Sequence, residues 1–148
     1  MMSSIWNDLD SEVKTDPGLM AGYVPEEEIK EAQKQLNLNF DNSYTKFILH
    51  YGGGIVGSHF IYGLKKQSNM GNTLTSVLTA TKFYKEEQEW PDIEDWYIVS
   101  DDGKGNPIGI DPQGIVWLSD HDAGFEKVKL ADNFEEFLYK LHTDTLYD

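Results

Sequence analysis

The stretch WYIVSDDGKGNPIGIDPQGIVWLSDHD, residues 96–122, decides the fold. It reads as three short strands broken by two tight turns. Residues 96–99 are apolar and β-prone, and Asp101-Asp102-Gly103-Lys104-Gly105-Asn106 supplies the first turn. Residues 108–110 make the second strand, Asp111-Pro112-Gln113-Gly114 the second turn, and residues 115–118 the third strand. A meander with polar turns is scaffolding: it holds no obvious nucleophile, general base or phosphate cradle.

The pattern continues on both sides. Downstream, residues 125–130 add a further strand. Asn133 with Glu136 three residues on resembles a reciprocal capping arrangement, opening a helix that buries Phe134, Phe137, Leu138 and Leu141. Upstream, Ile5, Leu9 and Val13 with Trp6 predict a helix over residues 4–13, stopped by Asp16-Pro17-Gly18. Pro25 starts a second helix, with Glu26, Glu27 and Glu28 at its positive end and Ile29, Ala32 and Leu36 as its apolar stripe. A third starts near Asn42 or Ser43, buries Tyr44, Phe47, Ile48 and Tyr51, and ends at Gly52-Gly53-Gly54. Residues 55–56 and 59–64 read as strand. Asn72 caps a fourth helix carrying Leu74, Val77, Leu78 and Tyr84. Helices at both ends of the chain around a mainly antiparallel sheet make this an α+β fold. With no linker or repeat in 148 residues, a single domain over residues 1–148 is expected.

Charge is the compositional outlier. The net charge is −14, and all twelve basic residues are lysine, with no arginine. That weighs against direct binding of nucleic acid or anionic lipid, where cationic side chains neutralise phosphate and arginine offers the best-matched fork. It suits a basic partner, and equally a simply soluble surface. The absence of cysteine excludes disulfides, thiolate catalysis and cysteine-ligated metal centres. No targeting segment and no membrane-length apolar run is visible, so a cytoplasmic protein is expected.

Candidate chemistry is thin. The Asp101-to-Asn106 loop fails the EF-hand calcium pattern, with Lys104 inside and Pro112 at the twelfth position, so a glycine-rich hairpin loop is expected. Asp120-His121-Asp122 brings three possible metal ligands together in sequence. In an extended strand only Asp120 and Asp122 would share a side, and a solvent-facing strand end is favoured. No Gly-x-Ser-x-Gly elbow or P-loop occurs, and abundant acids are poor grounds for a hydrolytic carboxylate pair. No enzymatic activity, cofactor or metal is expected. Residues 86–95 are more suggestive, with six acids, no base and Trp90-Pro91 in the middle. Trp90, Trp96 and Tyr97 there suit recognition of a basic protein surface, unless Trp90 is only a loop staple. The partner-binding residues expected are Glu86, Glu87, Glu89, Trp90, Asp92, Glu94 and Asp95, backed by Asp101, Asp102, Asp120 and Asp122.

From Ile5 to Leu141, the elements in order resemble the SUKH superfamily, the Smi1/Knr4-like fold. The resemblance rests on the Glu27-Glu28-Ile29 helix, Tyr44-x-x-Phe47-Ile48 leading to Tyr51-Gly52-Gly53, and Asp101-Asp102-Gly-x-Gly-Asn106-Pro-Ile-Gly-Ile-Asp111. It is completed by Gly114-Ile-Val-Trp117 and by Ala131-Asp132-Asn133-Phe134-Glu135-Glu136-Phe137-Leu138. Two departures stand out: Leu36-Asn37-Leu38-Asn39-Phe40-Asp41 replaces the family's Leu-Gly-x-x-Leu-Pro, and Asn133 replaces its commoner serine. The resemblance implies an immunity protein that neutralises a cognate toxin, often a nuclease, by direct binding. A regulatory scaffold for housekeeping partners, similar to the eukaryotic members, is the alternative. A small-ligand or hydrolase module using clustered carboxylates is the second.

Overall fold

A computed structural model describes residues 4–65 and 76–147. Helix α1 (Ile5–Thr15) starts where Ser4 Oγ accepts from Asn7 N, and a 3-10 turn (Pro17–Leu19) follows. Helix α2 (Glu26–Leu36) begins after Pro25 and ends on Asn37 in the left-handed conformation. Asparagine is among the few residues other than glycine that enter this region at low cost. Helix α3 (Asn42–Tyr51) is capped by Asp41 and closed by Gly52 at φ 71°. Strands β1 (Gly54–Val56) and β2 (His59–Ile61) form an antiparallel hairpin.

The expected strand over residues 59–64 stops at Ile61. Beyond it Tyr62 N donates to Val99 O, while Leu64 N and Lys65 N both donate to Gly52 O, so the chain wraps over the end of α3 instead. Helix α4 (Val77–Lys82) is capped by Ser76 and passes into a π-helical turn, Phe83–Glu87. The expected cap Asn72, with Leu74, lies outside the described residues.

The meander forms as read, with strand ends shifted by one or two residues. Strands β3 (Tyr97–Asp101), β4 (Pro107–Ile110), β5 (Val116–Asp120) and β6 (Glu126–Ala131) lie in that order, all antiparallel. A second 3-10 turn, His121–Ala123, joins β5 to β6. Helix α5 (Phe134–His142) is capped by Asn133, whose side chain accepts from Glu136 N. The return arm of the expected box lands one residue early: Glu136 accepts from Asp132 N, not from Asn133.

The core forms where the helices meet the sheet. Tyr44, Phe47, Phe134 and Phe137 are fully buried and pack edge-on or tilted, with Phe40 and Tyr97 closing the cluster. Burying such a side chain contributes about 1.5–3 kcal/mol. The β4–β5 turn is tied by Asp111, which accepts from Gln113 N, Ile115 N and the Trp117 indole at 2.8–3.0 Å. Asp111→Ala leaves three donors without their carboxylate, and a loss of about 2 kcal/mol is expected in denaturant unfolding.

Candidate functional site

Residues 86–95 run from the last two residues of the π-helical turn, Glu86 and Glu87, into an exposed loop. Gln88 N donates to Phe83 O and Trp90 N to Tyr84 O, while buried Ile93 hooks the loop into the core. Glu86, Glu87, Glu89, Asp92, Glu94 and Asp95 all face solvent. Glu89 (φ 47°) and Asp92 (φ 61°) are left-handed. Lys85 Nζ donates to Glu94 O at 2.7 Å and closes the loop from its inner side. Partial burial pushes the Lys85 amine below its ordinary range, with Asp95 and Glu94 pulling the other way.

Trp90 is half-buried. Its indole N–H donates to Ser119 Oγ at 2.7 Å, and its ring packs on Tyr84, Phe125 and His121 with centroids 5.2–5.9 Å apart. It staples the acidic loop to the end of β5. Trp96 and Tyr97, expected as surface aromatics, are only 3% and 2% exposed. The reason is that β3 is buried on both faces, its residues 97–100 all being buried, with the Tyr97 ring packed against Phe40 and Tyr44. Helix α4 covers its outer edge, where Ile98 N donates to Thr81 Oγ1.

The acids of the meander serve its turns first. Asp101 accepts from Gly103 N at 2.7 Å and from the Tyr62 hydroxyl at 2.5 Å. Asp102 accepts from Lys104 N and from both nitrogens of Asn106 at 2.8–3.1 Å. Partial burial pushes the Asp102 carboxyl up, but the Asn106 and Lys104 hydrogen bonds and the Lys104 charge outweigh it, so its pKa falls below 3.8. Asp120 accepts from Asp122 N at 3.0 Å and from Asn106 Nδ2 at 3.4 Å. Asn106, 1% exposed, thereby stitches the two loops, its Oδ1 also accepting from His121 N.

Asp120, His121 and Asp122 come closer than strand alternation allows. The chain leaves β5 at Asp120 for a 3-10 turn, so a ligand atom from each lies within 4.8 Å of the others. These are the residues that a cation would meet. His121 Nδ1 is already against Asn106 Oδ1, and its Nε2 lies 3.2 Å from Asp122 Oδ1. Beside them, Asp102, Lys104, Leu118, Asp120, Asp122 and Tyr147 line an open groove of about 420 Å³. Of the expected residues, Asp102, Asp120 and Asp122 line this groove, and Trp90 reaches its edge through His121, whereas Asp101 and the carboxylates of residues 86–95 are not part of its lining.

Sequence reading missed Phe125 and Tyr147, 41% and 61% exposed, and the hub Asn106. An apolar residue directly after Gly124 at a turn was the one signal for Phe125. Behind the groove, burial raises the Tyr84 hydroxyl to about 12, helped by the charges of Asp101 and Asp102. Among the described residues His59 Nε2 is buried and has no hydrogen-bond partner. Burial pushes the His59 imidazole below 6.5, although Asp101 and Asp102 pull it upward.

A folded-state pKa below the unfolded one means that the unfolded chain binds more protons just under pH 6.5, so stability falls on acidification there. Chemical denaturation at pH 7 and about pH 5.5 checks this. His59→Phe is expected to lose less stability between these two conditions than the parent chain.

Among the described residues no helix is long and apolar enough to cross a membrane. No curated protein matches the chain. A family model of the SUKH group, described as SMI1-KNR4 cell-wall, matches residues 2–143. With that match over nearly its whole length, and with the antiparallel meander between helices that the resemblance implies, the chain belongs to the SUKH (SMI1-KNR4) family.

Proposed function

We propose that this chain is a non-enzymatic immunity protein of the cytoplasm that binds and neutralises a cognate toxin domain through its acidic face. The observation that supports this reading is the packing of Trp90, which sits among the six exposed carboxylates of residues 86–95, on His121, whose neighbours Asp120 and Asp122 line the groove with Asp102. A nuclease binds phosphate with cationic residues, so a carboxylate surface can occupy its cleft and block substrate by shape and charge together.

Family membership supports a binding role, and a net charge of −14 steers a basic partner toward the face. Much of the face is held before any partner arrives: Trp90 is pinned on Ser119, Lys85 on Glu94, and the turn acids on backbone N–H groups. Such preorganisation lowers the ordering cost of association.

The test is capture from native lysate with the tagged chain at low salt. One stoichiometric toxin-like protein, released by high salt, is expected. Recovery of many housekeeping proteins would overturn the reading in favour of a scaffold, and recovery of none would overturn it outright.

A further inference from the structure

Phe125 stands at the join of the acidic loop and the groove. It is 41% exposed and left-handed at φ 64°, a conformation that a bulky side chain adopts only when its surroundings enforce it. Two contacts enforce it here: Phe125 N donates to Asp120 O at 2.8 Å, and the ring stands edge-on to Trp90 at 5.2 Å. Among the described residues five non-glycine positions have positive φ, and three of them, Glu89, Asp92 and Phe125, flank Trp90. An exposed aromatic is therefore held out on a firm base, with Asp122 and Glu126 near it in the chain on either side and Lys127 two residues on, its ammonium turned over the Trp96 ring.

We propose that Phe125 is the aromatic anchor of this face and receives an arginine side chain of the partner protein. This rests on the acidic-face reading above and adds the group that the face recognises. A purely apolar partner residue would gain nothing from the neighbouring exposed carboxylates of Asp122 and Glu126 and would desolvate any that it covered. A guanidinium can stack on the ring while its N–H fork is offered to a carboxylate, and it is more weakly hydrated than an ammonium. A second copy cannot supply the group, because this chain has no arginine, and its net charge of −14 opposes self-association.

The probes are hexa-arginine and hexa-lysine peptides, equal in formal charge, titrated into the full chain at about physiological salt. Stacking on an exposed ring is expected to give hexa-arginine about a two- to fivefold tighter Kd than hexa-lysine. Phe125→Asn, with a residue that accepts left-handed backbone, is expected to abolish that preference and leave hexa-lysine affinity unchanged. Phe125→Tyr is expected to keep the preference. In the parent chain the Phe125 ring resonances are expected to shift with hexa-arginine and not with hexa-lysine, a readout that needs no variant to fold. An unchanged arginine preference in Phe125→Asn, or a ring that does not respond, overturns the anchor. Reversal of charge at Glu86, Glu87 and Glu94 reports separately: if neither peptide then binds more weakly, it is the acidic-face reading that fails.

Discussion

Gly52→Ala is expected to cost about 3–5 kcal/mol, a large share of the 5–15 kcal/mol that holds a typical domain together. Gly52 ends α3 at φ 71° with its N–H on Ile48 O, and its carbonyl accepts from Leu64 N and Lys65 N. An added Cβ would lie 2.1 Å from Gly22 O. That atom is backbone, and its segment is fixed by Gly22 N donating to Tyr51 O at 2.8 Å, so it cannot step aside alone. The left-handed conformation accounts for about 1–2 kcal/mol of the cost, and forcing two backbone segments apart for the remainder. Gly103→Ala is the control: φ is 80°, but among the described residues no atom beyond its two chain neighbours lies within 4 Å of the new Cβ. Thermal unfolding is expected to show a fall in Tm of about 10 °C for Gly52→Ala and about 3 °C for Gly103→Ala. Equal falls would mean that φ alone, and not the crossing of the two segments, sets the cost.

The second large effect is on binding. Turning Glu86, Glu87 and Glu94 into lysine places three ammonium groups where a basic partner expects carboxylates. An affinity loss of about a hundredfold or more is expected, much of it in the association rate, together with a weaker dependence on salt. The fold is expected to tolerate the change. All three side chains face solvent, and the bond that Lys85 makes here is to the carbonyl of residue 94, not to its side chain. Stopped-flow association at two ionic strengths, with unfolding measured alongside, separates the two effects. Unchanged association kinetics would remove residues 86–95 from the interface.

The scaffold was legible because its turns and caps are written locally. Asp101 to Asn106 and Asp111 to Gly114 turn where their side chains can accept from the backbone two to four residues on. Gly52 closes α3 because only a residue at ease in the left-handed region fits there, and Asn37 does the same for α2. What failed depended on contacts distant in sequence or on a turn that the strand period hides. Trp96 and Tyr97 look like surface aromatics beside an acidic run, but their strand is buried on both faces, with the Phe40–Tyr44 cluster against Tyr97 and α4 along its edge. Strand alternation separated His121 from its aspartates, yet the chain turns immediately after Asp120. Trp90 combines both readings: its indole is a staple on Ser119, and its ring supports exposed Phe125. No local pattern reports that pairing, because 35 residues separate the two rings in the sequence.

Neutralisation by the acidic face is tested most directly by assaying the partner captured from lysate for its own activity while the chain is added. Inhibition complete at one chain per partner, and lost with the Glu86, Glu87 and Glu94 reversal, is the expected result. A partner that stays active when saturated, or one that the reversed chain inhibits equally well, would contradict neutralisation through this face.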